Sequence, residues 1–281
     1  MTSTSRPVTL PSGEAIPAMG QGTWHLAERP ARRSDEIAAL RLGLDLGLTL
    51  VDTAEMYADG ATEVLVGEAI AGRRDEVFLV DKVLPHHATR TGTVRACQAS
   101  LARLAVDHID LYLLHWRGQV ALAETVAGFA DLQAAGLIRY WGVSNLDVDD
   151  LIDLAAVPGG DQAQTDQVLF NLVRRGAEYA LLPWLSAHGI PAMAYSPIEQ
   201  GRLLRHPVLT EVAQRHSATA AQIALAWVLA HDGVSAIPRT GRPEHVRANA
   251  EARGIGLGRD DLYLLDQAFP PPVQPRRLEA L

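Results

Sequence analysis

Four residues in the first half of the chain could together make an acid: Asp52, Tyr57, Lys82 and His115. A tyrosine hydroxyl, with a reference pKa of about 10, is a poor proton donor to a developing alkoxide at neutral pH. A lysine ammonium about 4 Å away favours the phenolate by up to ~4 kcal/mol at an effective dielectric of 20. Lowering the phenol by about three units needs ~4 kcal/mol, so one close lysine is of the required size. An ammonium drawn into a pocket tends to lose its own proton. A carboxylate at Asp52 would keep it charged and fix its position. His115 would then hydrogen-bond a carbonyl oxygen and steer it towards Tyr57. The expected chemistry is proton delivery to that oxygen.

Each residue also has a plain structural reading. Asp52 with Glu55 has the D-x-x-E spacing of a helix capping box, and Tyr57 could simply pack its ring. Lys82 could be a solvated strand end, and His115 a satisfied core histidine. What favours chemistry is the recurrence of polar groups at one place in a repeat. Short apolar runs alternate with longer stretches of helical period. The candidate strands are 18–23, 48–52, 77–82, 109–115, 138–144, 163–168, 190–196 and 234–238. They are rich in Val, Ile, Leu and Tyr, as buried parallel strands should be. Their ends carry Asp52, Lys82, His115, Ser144 with Asn145, Gln167, Tyr195 with Ser196, and Arg239, spaced 23 to 44 residues apart. Ser144 could still be only a helix cap and Gln167 only a partner for backbone groups.

Eight strands alternating with helices in 281 residues predict an α/β protein of the (β/α)8, or TIM, barrel type, spanning residues 1–281 as one domain. A doubly wound sheet is the competing fold. Between the strands, 34–47 opens on Ser34 as a candidate N-cap and places Ile37, Leu40, Leu44 and Gly47 along one face. The longest interval precedes the eighth strand, so extra helix belongs there. The Pro-rich tail 270–281 is expected to drape over the surface or the barrel mouth. In a barrel the strand ends form one rim, where chemistry resides.

Composition narrows the partners. A net charge of −8 argues against general nucleic-acid binding or an anionic membrane surface. No apolar run approaches the length of a membrane span, and "MTSTSRPVTLPSG" lacks the basic start and apolar core of a secretory leader. A cytoplasmic setting is expected. The single cysteine, Cys97, excludes an intrachain disulfide framework and sits in a helical stretch as a packed thiol. His86 and His87 are adjacent and lack the i, i+4 spacing of a helical ligand pair, so no metal is expected. No G-x-G-x-x-G follows a candidate strand, which disfavours a Rossmann dinucleotide site.

The chain resembles the aldo-keto reductases over nearly its whole length, and in particular the bacterial members that reduce methylglyoxal and other small aldehydes. The resemblance is carried in order by "GQGTW" (20–24), "VDTAEMY" (51–57), "DKV" (81–83), "LLHW" (113–116), "WGVSN" (141–145), "AYSP" (194–197) and "IPRT" (237–240). It implies a (β/α)8 barrel, a nicotinamide cofactor and a catalytic tetrad falling on Asp52, Tyr57, Lys82 and His115. It further implies that Ser144, Asn145 and Gln167 hold the nicotinamide carboxamide and that Tyr195 stacks under the ring. Gly22, Thr23 and Trp24 would line the first loop, and Ser196, Pro197, Ile198, Gln200 and Gly201 would follow the pyrophosphate. Trp24 and Trp116 would wall the substrate pocket with Tyr57 and His115. Ile237, Pro238, Arg239, Thr240, Gly241, His245 and Asn249 fall at the adenosine end.

That end is basic, with four arginines against two glutamates in 237–254, and Pro243 stands at a first helical position. Arg239 and Thr240 are expected to grip a 2′-phosphate, giving a preference for NADPH over NADH. Arg239 stands where the family pattern more often has Lys, and His245 where it often has Arg. The expected activity is NADPH-dependent reduction of small aldehydes and ketones, by a monomer or weak oligomer. Two other readings stay open: a redox-sensing module that binds NADPH with negligible turnover, and a barrel isomerase or lyase that uses Lys82 and His115 without a cofactor.

Overall fold

The computed structural model describes residues 6–281; the first five residues of the stretch inspected for a leader lie outside them. Eight parallel strands form one sheet: β3 (Gln21–Gly22), β4 (Leu50–Asp52), β5 (Phe78–Val83), β6 (Ile109–Leu114), β7 (Ile138–Ser144), β8 (Asp166–Leu169), β9 (Ala192–Tyr195) and β10 (Val234–Ala236). They neighbour one another in chain order. The sheet closes through parallel bridges from Met19 to Ala236 and from Gly22 to Arg239. Glycine is required at that seam, because a Cβ on Gly22 would stand 2.7 Å from the Ile237 carbonyl oxygen. The closed barrel bears out the expected fold and excludes the doubly wound alternative.

An antiparallel hairpin of β1 (Val8–Thr9) and β2 (Ala15–Ile16), not anticipated above, precedes the barrel. Its Val8 and Ile16, with Leu10, pack against Leu50, Phe78 and Leu111. These apolar contacts plug the amino end of the barrel.

The period-2 alternation of each strand sorts its side chains between barrel interior and helix layer. In β5, Phe78 and Val80 join the interior cluster, while Leu79 and Val83 join the outer one. Lys82 is therefore next in the inward series. In β6, Leu111 and Leu113 face inward and Tyr112 and Leu114 outward, which puts His115 on the inner side. Leu50 in β4 and Met193 in β9 place Asp52 and Tyr195 likewise.

The outer layer is α1 (Arg33–Asp45), α2 (Ala61–Ile70), α3 (Arg90–Leu104), α4 (Leu122–Ala134), α5 (Val148–Ala155), α6 (Leu181–Ala187), α7 (Pro207–Arg215), α8 (Ala220–Leu229), α9 (Pro243–Ala252) and α10 (Arg259–Ala268). The long interval before β10 holds both α7 and α8. Ser34 is not a cap. A 3-10 turn over Pro30–Arg32 runs straight into α1, so Ser34 falls inside the helix. Leu40 and Leu44 are buried as expected, whereas Gly47 lies beyond the helix end at φ 79°. Pro243 does open α9. No helix among the described residues is long and apolar enough to cross a membrane.

Candidate active site

The strand ends open into a cavity of about 950 Å³ at the carboxyl rim. Asp52, at the end of β4, begins no helix: α2 starts later, with Gly60 as its N-cap at φ 87°. The capping-box reading of Asp52 and Glu55 therefore fails. Asp52 Oδ2 instead accepts from Lys82 Nζ at 2.8 Å, and its Oδ1 accepts from Gln167 Nε2 at 2.7 Å.

Lys82 is fully buried and directs its three N–H groups at three acceptors. These are Asp52 Oδ2, the Thr53 carbonyl at 2.7 Å and the Tyr57 hydroxyl oxygen at 3.3 Å. Because the phenol oxygen accepts from the ammonium, its own proton is free to point elsewhere. Tyr57 and His115 lie edge to face, with ring centroids 6.0 Å apart. Both line the cavity.

Burial dominates the titration of this cluster. It works against the charge on Lys82, but Asp52 and Tyr57 outweigh it, so the lysine is held above its ordinary value and stays an ammonium. Burial raises Asp52, with Lys82 and Gln167 pulling the other way. Tyr57 corrects the expectation of an acidified phenol: burial raises it above its ordinary value, although Lys82 lowers it. The cation favours the phenolate, but desolvation and the counter-charge of Asp52 both oppose it. His115 is driven down to about 2 by burial and then by Lys82. It is a neutral imidazole, and its buried Nδ1 has no hydrogen-bond partner within the protein.

Beside this cluster lies a second set of polar groups. Ser144 Oγ donates to the Gln167 carbonyl at 2.7 Å, which leaves Ser144 at the end of β7; the cap of α5 is Asp147. Asn145 adopts φ 59°, a conformation this residue type tolerates. Its Nδ2 donates to the His115 carbonyl and to Ser144 Oγ, and its Oδ1 accepts from the Tyr195 hydroxyl at 2.8 Å. Gly22, Thr23, Trp24, Trp116, Ser144, Asn145, Gln167 and Tyr195 all line the cavity. So do Ser196, Pro197, Ile198, Gln200, Gly201, Ile237, Arg239 and His245.

Five predicted residues stand outside the lining: Lys82, buried beneath the Tyr57 hydroxyl, and four at the adenosine end. Pro238 lies in the barrel seam, its carbonyl accepting from Gly22 N at 3.1 Å. Gly241 packs on Glu36, Asn249 is buried on α9, and Thr240 Oγ1 accepts from Arg242 N. The Arg239 guanidinium crosses the seam, donating to the Trp24 carbonyl at 2.6 Å and the His25 carbonyl at 3.4 Å.

Several lining residues were not singled out from sequence, among them Met56, Arg117 and the tail residues Arg277, Leu278 and Leu281. Arg117 is engaged by Asp150 and Asp153. The tail is tied to the mouth by Glu279 to Arg174 and by Leu278 N to Asp147 Oδ2. Its last residue reaches the Tyr195 hydroxyl. The signal was the pair of leucines in the charged segment "RRLEAL" after a helix-ending proline run. His86 and His87 meet edge to face in a turn, and no metal-holding cluster occurs among the described residues. Cys97 is buried and burial raises its thiol.

Fold and cavity define a β/α barrel with a lysine-braced phenol and a neutral imidazole at its carboxyl rim. Residues 18–269 match the aldo/keto reductase family, and the chain belongs to it. Methylglyoxal reductase YeaE of Escherichia coli (strain K12) is 51% identical over 263 residues, 92% of this chain and 93% of its own length. Methylglyoxal reductase DkgB of Salmonella typhi is 30% identical over 252 residues, 88% of this chain and 90% of its own. An aldo/keto reductase from Klebsiella pneumoniae, crystallised with NADP and acetate, superposes with a TM-score of 0.96 at 48% identity, covering 98% of this chain and 99% of that one. A Klebsiella pneumoniae structure in complex with NADPH gives 0.95 at 47% identity over the same shares.

Proposed function

We propose that this protein reduces small aldehydes and ketones, methylglyoxal among them, to alcohols with NADPH, using Tyr57 as the general acid. The observation that carries the reading is the lysine whose three N–H groups are all assigned, one of them to the phenol oxygen. It leaves the Tyr57 proton as the one available for delivery into the cavity.

The cavity suits a dinucleotide better than a small carbonyl alone. About 950 Å³ lies at the upper end of ligand-pocket volumes, and the lining runs from Tyr57 to His245. Ser144, Asn145, Gln167 and Tyr195 would hold the nicotinamide end, and Gln167 keeps its carbonyl oxygen uncommitted while its amide nitrogen is bonded. Arg239 and His245, both in the lining, would hold the adenosine end. When bound, NADPH supplies the hydride that adds to the carbonyl carbon. Tyr57 gives its proton to the carbonyl oxygen, and Lys82 stabilises the phenolate left behind. Asp52 keeps Lys82 charged and in place. His115, neutral and buried, offers an N–H to the carbonyl oxygen without adding a charge. Trp24 and Trp116 wall the space above. The relatives named for methylglyoxal reduction support that choice of carbonyl.

The same reading takes residues 1–281 as one barrel domain, working in the cytoplasm as a monomer or weak oligomer. Tyr57→Phe tests it. The variant should lose at least about 10²-fold in kcat for methylglyoxal, as removal of a positioned acid does. NADPH affinity, read by fluorescence, should stay within about twofold, because the hydroxyl does not anchor the cofactor. Wild-type kcat in the variant removes the assigned acid. Tight NADPH binding with no turnover by the unaltered protein favours the redox-sensing alternative, and no NADPH binding favours the cofactor-free one.

A further inference from the structure

Tyr57 sits in the loop after β4 and Lys82 in β5, and something must hold that loop in register with the neighbouring strand. We infer that Glu55 is a positioning residue, a clasp between the loop after β4 and the turn after β5 that holds Tyr57 over Lys82. This rests on the function proposed above.

Three bonds make the clasp. Glu55 Oε1 accepts from Leu84 N at 2.7 Å and lies 3.0 Å from His87 Nδ1. The Glu55 backbone N–H donates to the Lys82 carbonyl at 3.4 Å. One residue, two before Tyr57, therefore grips the chain at the Lys82 carbonyl and again just beyond it at Leu84 and His87. The Glu55 side chain is 8% exposed, which shields its bond to Leu84 N from water, whereas the His87 partner is 45% exposed and that contact is a surface one. A charged acceptor bonded to a backbone N–H is among the stronger neutral-donor contacts.

The far side of Tyr57 shows why a clasp is needed. Ala58 and Asp59 both have left-handed backbone, at φ 47° and 51°, and Gly60 follows at φ 87°. Such conformations cost about 1–2 kcal/mol for each non-glycine residue and persist only where the surroundings enforce them. A loop under that strain relaxes by moving whichever end is free. With Glu55 holding the near end, the Tyr57 oxygen stays 3.3 Å from Lys82 Nζ, already at the long limit of a hydrogen bond. Loss of the clasp separates the acid from its cation while leaving the cofactor-facing groups of β7, β8 and β9 untouched.

The test compares Glu55→Ala, Glu55→Gln and Glu55→Asp with the unaltered protein, all with NADPH and methylglyoxal. Glu55→Ala should lower kcat by about tenfold or more, since displacements of ~1 Å at a reacting group cost up to 10²-fold. KM and NADPH affinity should stay within about twofold, because neither binding subsite is touched. Proton delivery becomes slower, so the solvent deuterium effect on kcat should grow. Glu55→Gln keeps the acceptor at the same reach and should recover most of kcat; Glu55→Asp retracts it and should not. Unchanged kcat and isotope effect in Glu55→Ala overturn the clasp, as does equal damage in the glutamine and alanine variants. If Glu55→Ala does not fold, wild-type kcat in Glu55→Asp overturns it. Failure of the underlying function looks different: Tyr57→Phe would then keep its activity whatever the Glu55 variants do.

Discussion

Tyr57 is a weak acid with a well-placed brace, and its behaviour with pH follows from that. Burial lifts the phenol above its ordinary value against the pull of Lys82, and burial takes His115 down to about 2. On the proposed reading Tyr57 must be protonated for reduction, so rate is kept at every pH below the Tyr57 value and lost as pH rises through it. The kcat for reduction should therefore stay level from about pH 6 to beyond the ordinary tyrosine value near 10. A neutral His115 adds no limb near 6.5, the reference value of an imidazole. Alcohol oxidation requires the phenolate and should show the opposite sign, rising over the same alkaline range. Steady-state kcat measured across this range in both directions checks it. A reduction limb with its midpoint below about pH 10 would mean that Lys82 outweighs burial after all.

Among the elements, the seam between β3 and β10 joins the first and last strands of the sheet and closes the barrel. Only two residues of the expected 18–23 run are strand, with Met19 adding a single parallel bridge to Ala236. The loop after β10 is held to the loop after β3 by Arg239, which donates to the Trp24 and His25 carbonyls. A guanidinium can leave carbonyl acceptors for a phosphate, which it binds bidentately with a full opposing charge. On the proposed reading, Arg239→Ala should raise KM for NADPH by about tenfold, some 1.4 kcal/mol, and change KM for NADH much less. A comparison of kcat/KM for the two cofactors decides; equal losses for both assign Arg239 to the seam alone. Thr240, the other half of the expected phosphate grip, faces the backbone of Arg242 and is outside the lining.

For the whole molecule, the barrel divides labour between its ends: chemistry at the carboxyl rim, cohesion at the amino end. Asp110, buried at the start of β6, accepts from Arg74 Nη2, Arg139 Nη1 and Leu79 N, each at 2.8 Å, and so ties β5, β6 and β7 together. Asp110→Ala leaves those donors without their acceptor and should cost about 3 kcal/mol in chemical denaturation. It should leave kcat for methylglyoxal near that of the unaltered protein; a selective loss of kcat would contradict the division. The alternation of apolar runs with helical stretches, and polar residues recurring at the run ends, made the barrel and most of its rim legible in sequence. Period-2 geometry alone aims Asp52, Lys82, His115 and Gln167 inward once the strands are known. Tertiary structure decided what no local pattern encodes: that Ser34 and Ser144 cap nothing, that Glu55 reaches across to Leu84, and that of surface and mouth the tail takes the mouth. It also set the Tyr57 titration, which depends on how much water the surrounding side chains exclude. Local spacing determines which way a side chain points, while burial and long-range partners arise only when distant segments are brought together.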